Sequence, residues 1–253
     1  MAIKPVAVIA GIGSGSGTGA TAARLLAKEG YAIAPIAHSV DSIKALSDEI
    51  NAAGGTAASF PISSYSTTDI DSAYARIRAH HQGQPIRVAV YNATHDVWKP
   101  FLDITPQDVQ GVAQMNLEGA FAFSKNVIQA FQANQVDEKG KRGSLIFTGA
   151  TASVRGNLTT SAFSAGKHAL RALSQSLAKE FGGQNIHVSH AIIDGGILTS
   201  SARERRNDTE WEENEDVRLS PVGIAESYLH LIKQPCSAWT WELDSYSSSS
   251  ILR

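Results

Sequence analysis

The run Gly11-Ile12-Gly13-Ser14-Gly15-Ser16-Gly17-Thr18-Gly19 carries the clearest chemistry in this 253-residue chain. Glycine lets a backbone turn sharply and bring its N–H groups against a ligand. A helix that begins where such a run ends offers its positive pole to an anion. The residues that follow, TAARLLAKEG, have helical spacing, so the expected ligand is the pyrophosphate of a dinucleotide. Two registers satisfy Gly-x-x-x-Gly-x-Gly, one from Gly11 and one from Gly13. We take Gly13, Gly17 and Gly19, with Ser16 and Thr18 between them, because this leaves about three helical turns before Gly30, an expected C-terminal cap. Near the end of the second apolar run an acid would bond the adenosine ribose of NAD. None is present in Ala34-Pro35-Ile36-Ala37-His38-Ser39-Val40, and Asp41 is expected to cap the next helix. His38 and Ser39 are left to meet a 2′-phosphate. The cofactor expected is therefore NADP(H), with NAD(H) as the alternative.

The elements that must hold this loop follow from apolar patterning. Short β-branched runs at 6–10, 31–37, 56–60, 86–91, 144–148, 187–193 and 239–243 alternate with longer amphipathic stretches. Seven strands separated by helices predict one Rossmann-type α/β domain over 1–253, with a doubly wound, seven-stranded parallel sheet and helices on both faces. Thr105 before Pro106 is an N-cap signal, and Thr68-Asp69 opens another helix. Residues 200–218, crowded with charge, follow the sixth strand and are expected to form a lid over a small-molecule substrate. Residues 245–253, rich in serine, are expected to fray as a tail. A formal charge of -2 leaves no basic footprint for nucleic acid. No run is long enough to span a membrane, and no metal site is indicated. One cysteine, Cys236, fits a reducing compartment, so a cytoplasmic protein is expected.

Four further segments give the chain a family resemblance: Tyr91-Asn92-Ala93-Thr94, Met115-Asn116-Leu117, Ser161-Ala162-Phe163-Ser164-Ala165-Gly166-Lys167 and IIDGGILT over 192–199. Together they resemble the short-chain dehydrogenase/reductase family over nearly the whole length. The resemblance implies that Asn92 and Ala93 support the sheet beside the adenosine and that Ser63 stands where an aspartate usually meets adenine. It places Asn116 and Lys167 in the catalytic centre, with Lys167 also on the nicotinamide ribose, and gives Ile197 and Thr199 the nicotinamide carboxamide. It also implies a homo-oligomer, dimer or tetramer, joined through helices at 116–133 and 164–181, where Phe121, Phe123, Val127 and Phe131 exceed the needs of one core face.

Two of the family's catalytic side chains are missing. Its tyrosine lies one helical turn before the lysine, so that the ammonium lowers the phenol's pKa. That position is Phe163, and the serine thirteen residues earlier is Ala150. Substitute groups are Thr151, Ser153 and Asp194, with His95 and Asp96 near the fourth strand's end. Arg155 is a candidate for an anionic substrate group, and Trp98 for the pocket wall. The reading that follows is a divergent NADP(H)-dependent oxidoreductase acting on an activated C=N, C=C or C=O bond. The alternatives are a lyase, isomerase or cyclase that keeps the cofactor as part of its pocket, and a non-catalytic nucleotide-binding module.

Overall fold

The computed structural model describes residues 3–249. Its strands are β1 (Val6–Ala10), β2 (Ala32–Ala37), β3 (Thr56–Ala57), β4 (Phe60–Pro61), β5 (Ile86–Tyr91), β6 (Gly143–Thr148), β7 (Ile186–Asp194) and β8 (Glu242–Tyr246). The helices are α1 (Thr18–Lys28), α2 (Val40–Ala52), α3 (Thr67–His80), α4 (Pro106–Ala113), α5 (Gly119–Gln132), α6 (Ser161–Phe181), α7 (Ser200–Arg206), α8 (Thr209–Glu213) and α9 (Pro221–Lys233). All strand pairings are parallel. The order is β3-β2-β1-β5-β6-β7-β8, with β4 also beside β2. This is the doubly wound Rossmann arrangement expected, its third strand broken into β3 and β4.

β1 shows why helices cover both faces. Its five residues are all buried, and successive side chains point to opposite layers. Val6 and Val8 pack with Ile70, Tyr74 and Phe123, whereas Ala7 and Ile9 pack with Leu26, Ile43 and Tyr228. The direction of the chain reverses its strand order after β1, so the carboxyl ends of β1 and β5 open a crevice at the glycine loop.

The structure corrects several expectations. The last strand runs three residues later than the run 239–243 suggested. Trp239 stacks on His187 at 4.9 Å and Thr240 bonds Gln234, which keeps both out of the ladder until Glu242 pairs with His190. Arg171 then clamps Glu242 with two bonds of 2.6 and 2.7 Å. Residues 245–249, expected to fray, continue β8 into a turn. There Ser248 Oγ donates to Asp216 Oδ1 at 2.6 Å and Ser249 N donates to the Asp216 carbonyl at 2.9 Å. The remaining tail residues, 250–253, lie outside the described residues. Ser66, not Thr68, caps α3, while Thr105 caps α4 in a capping box with Asp108. Phe123, Val127 and Phe131 are interior, because α5 needs a wide apolar face between β5 and α3; only Phe121 faces outward. Among the described residues no helix is long and apolar enough to cross a membrane, and no cluster of His, Cys, Asp and Glu has the makings of a metal site.

Candidate functional site

The glycine loop is built around one close approach. Gly11, at φ 85°, lies so near β5 that a Cβ there would stand 2.5 Å from the Ala93 nitrogen. A Cβ on Gly19 would stand 2.1 Å from the Gly11 carbonyl oxygen, which accepts a 2.7 Å bond from Asn92 Nδ2. Asn92 and Ala93 therefore fix the base of the loop. Gly17 caps α1 without any side-chain bond to the first turn, so its N–H groups point at whatever occupies the loop. The Thr18 hydroxyl is buried there without a hydrogen-bond partner. Gly13 takes φ 60° but meets nothing within 4 Å. Gly17 and Gly19 thus open the helix as expected, while the steric first position is Gly11. Its place directly after β1 was the signal for that role.

After β2, His38 is exposed with its ring 4.9 Å from that of Tyr65. Ser39, rather than Asp41, caps α2: its hydroxyl accepts from Ser42 N at 3.2 Å and donates to Ser42 Oγ at 2.8 Å. Ser63 is exposed.

The catalytic candidates come together elsewhere. Between α4 and α5 the chain makes one π-turn, Gln114–Glu118, a distortion often found at functional sites. It turns Asn116 inward, fully buried. Asn116 Oδ1 accepts from His95 N at 3.1 Å, and its amide donates to Thr94 Oγ1 at 3.2 Å. His95 is held with its ring against Gly111, and Asp96 is exposed. On α6, a Cβ on Gly166 would lie 2.6 Å from Val112 Cγ1 and 2.8 Å from Asn116 Nδ2. That contact seats Lys167 in the interior beside β6, where its ammonium donates to the Thr148 carbonyl at 2.8 Å. Burial pushes the Lys167 pKa down to about 8, with Asp96 opposing the shift weakly. Phe163, one turn earlier, places its ring 5.8 Å from Lys167 Nζ and 5.8 Å from the Trp98 ring. The tyrosine position is therefore an aromatic wall.

The turn that holds Ala150 has spent one substitute hydroxyl and reoriented another. Ser153, fully buried, accepts from Ala150 N at 3.0 Å and braces the turn. The Thr151 hydroxyl donates to Asp194 Oδ1, and Arg155 Nη2 lies 3.7 Å from the same oxygen. Thr199 caps α7, and its methyl would stand 3.7 Å from a Cβ on Gly17. Ile197 bridges to Leu219. Residues 200–218 form two short helices and a final 3₁₀ turn docked on the glycine loop, where Ser16 Oγ accepts from Ser200 N at 2.9 Å. Between this segment and the end of β7 lies a cleft of about 480 Å³.

Comparison with known proteins agrees with this arrangement. The family model described as short chain dehydrogenase matches residues 5–210. A short-chain dehydrogenase/reductase from Armillaria gallica is 26% identical over 221 residues, 86% of this chain and 78% of its own. Carbonyl reductase family member 4 from Xenopus laevis is 26% identical over 232 residues, covering 90% and 92%. Among solved structures, a short-chain dehydrogenase from Rhodopseudomonas palustris is 30% identical, with a TM-score of 0.76 over 95% of this chain and 98% of that one. A metagenomic short-chain oxidoreductase in complex with NADP, 23% identical, shares the fold with a TM-score of 0.77 over 96% and 97%.

The buried lysine has a measurable consequence. The unfolded chain keeps the Lys167 proton to about pH 10.4, whereas the folded chain releases it near 8. Below pH 8 the full cost of burying the charge is present. Above it the unfolded state binds more protons, so stability rises with pH. Lys141, also lowered to about 8 by burial, adds to the rise. Denaturant midpoints of the cofactor-free protein between pH 7.5 and 9.5 should climb, and Lys167→Met should flatten the climb by up to ~1–2 kcal/mol. An equal slope in the variant would contradict the burial of a charged Lys167.

Proposed function

Because the chain belongs to the short-chain dehydrogenase family, we propose that it is an NADP(H)-dependent oxidoreductase whose substrate needs no proton delivered at the reacting atom, an iminium above all. Support for a bound dinucleotide comes from the close approach at Gly11 and Gly19, the uncapped start of α1 and the unpartnered Thr18 hydroxyl. Gly13, Ser16, Gly17, Thr18 and Gly19 would hold its pyrophosphate, Asn92, Ala93 and Ser63 its adenosine side, and Lys167, Ile197 and Thr199 its nicotinamide half. The absence of an acid after β2 and the exposure of His38 favour NADP(H) over NAD(H). Ser39, spent on its cap, contributes its place rather than its hydroxyl. When bound, the nicotinamide supplies a hydride.

The observation that carries the substrate reading is the bond from Thr151 to Asp194. Thr151 stands beside Ala150, where the family has its serine. With its proton committed to a carboxylate, its oxygen presents lone pairs, backed by the charge of Asp194. Such a pair accepts an N–H and stabilises a cation; it has no proton to give a carbonyl oxygen. Arg155, exposed and 3.7 Å from Asp194, offsets only part of that charge. Phe163 agrees with this polarity, since its ring face attracts positive charge and its edge donates nothing. A ketone would end as an unprotonated alkoxide, losing the ~10²–10⁴ that a positioned acid contributes. An iminium carbon ends as a neutral amine. Asn116 and Lys167 position the ribose and order water, Ser153 holds the turn, and residues 200–218 close over the substrate as a lid.

A panel of cyclic imines and simple ketones tests this, each with NADPH and with NADH. The wild type should turn over imines, faster with NADPH, and leave ketones nearly untouched. Asp194→Asn should cost at least ~10-fold on imines, and the pair Ala150→Ser with Phe163→Tyr should gain ketone reduction. Robust ketone turnover by the wild type would overturn the reading.

We also read the chain as a homo-oligomer joined across α5 and α6. Leu117 and Phe121, four residues apart across the start of α5, are exposed there. Light scattering at micromolar concentration should report a dimer or tetramer; a monomer would contradict it.

A further inference from the structure

The proposed reaction uses Asn116, Lys167 and Asp194 and gives no part to the Arg206 and Trp211 side chains at the lid end of the cleft. Its wall there carries Arg155, Asp194, Gly196, Arg206, Asp208 and Trp211. Arg206 is the last residue of α7. Asn207 leaves the helix in the left-handed region, at φ 48°, and Asp208 caps α8 by accepting from Trp211 N at 3.1 Å. The chain thereby folds back and lays the buried Trp211 ring under Arg206, with the guanidinium carbon 4.3 Å from the ring centre. Gly196 leaves the room: a Cβ there would stand 3.1 Å from Trp211 Cζ2 and 3.2 Å from Arg206 Nη2.

Stacking fixes the plane of the guanidinium but uses none of its N–H donors. Of the other lid arginines, Arg203 pairs with Glu212 and Arg218 with Glu215, each at 3.7 Å, and the exposed Arg205 does not line the cleft. Among the described residues Arg206 has no carboxylate within ion-pair distance. Of the acids on the cleft, Asp194 is taken up by Thr151 and Arg155 and Asp208 by its cap. Glu210, exposed on α8, also lines the cleft and forms no ion pair with Arg206. A planar fork of donors held on an aromatic face and left unpaired is the geometry that recognises a carboxylate. The Asp194 to Thr151 bond joins this cleft to the turn that holds Ala150.

We propose that Arg206 determines specificity for an acidic substrate, binding a carboxylate of the molecule whose C=N group is reduced, with Arg155 lining the same cleft. The substrate class is then a small imine that also carries a carboxylate. This rests on the oxidoreductase reading for the reaction, but not for the binding. Succinate serves as the probe and neutral succinamide as its control, titrated calorimetrically into the protein saturated with NADP⁺. Trp211 fluorescence, read against Trp211→Phe, reports the same event. Succinate should bind and succinamide should not. Arg206→Met, which keeps the stem on Trp211 and loses the fork, should weaken succinate at least ten-fold while the melting temperature stays within a few degrees. If that variant fails to fold, Arg206→Lys, which keeps the charge without the fork, should still weaken binding several-fold. Equal binding of succinate and succinamide, or undiminished binding by the folded variants, overturns the proposal. Succinate binding that depends on Arg206 in a protein without imine turnover supports the acid site and counts against the reaction alone.

Discussion

The contact at Gly166 is the constraint from which the rest of the site follows. Protein interiors are packed to crystal-like density, and here the packing leaves no room for a single methyl between α6, Val112 and Asn116. That closeness seats α6 on the π-turn, turns Asn116 inward and sets Lys167 on the Thr148 carbonyl. It equally fixes Phe163, one turn back on the same face, over the lysine. A side chain at position 166 would move all of these groups together. On the proposed reading, the scaffold for a nicotinamide ribose is kept while Phe163 and Ala150 stand at the two proton-handling positions.

The proposed chemistry rests on the charges around that site. Thr151 and Asp194 place an acceptor and a negative charge beside Ala150, and Phe163 with Trp98 forms an aromatic wall near Lys167. The lid segment, held to the glycine loop through Ser16 and Ser200, adds a stacked, unpaired cation at the far end of the cleft. A site negative near the reacting atom and positive at the lid suits a molecule that is cationic at one end and anionic at the other.

Much of the frame was legible in the sequence because strands β1, β5, β6 and β7 are short apolar runs with only one way to be buried. The glycine loop was legible as a motif but not in its register. Gly11 and Gly13 look alike in sequence and differ only in that Gly11 faces the backbone of Ala93 across the sheet. β8 was misplaced because Trp239 and Trp241 have strand character, yet Trp239 stacks on His187 and Arg171 packs on Trp241. The stacking of Arg206 on Trp211 was not readable at all. It depends on a left-handed Asn207 and on space left by Gly196, and local spacing records neither. That alanine and phenylalanine stand at positions 150 and 163 is plain in the sequence, but the bond from the Thr151 hydroxyl to Asp194 joins residues 43 apart and has no local signal.

On the proposed reading, hydride added to an iminium carbon gives the neutral amine directly, so the site needs no positioned proton donor. The most direct test is the solvent deuterium isotope effect on the single-turnover rate of imine reduction, measured at matched pH and pD on their plateaus. A value near unity is predicted for the wild type, since no proton moves with the reacting atom. A large normal effect would mean that a side chain delivers a proton in the transition state, and the account would be wrong.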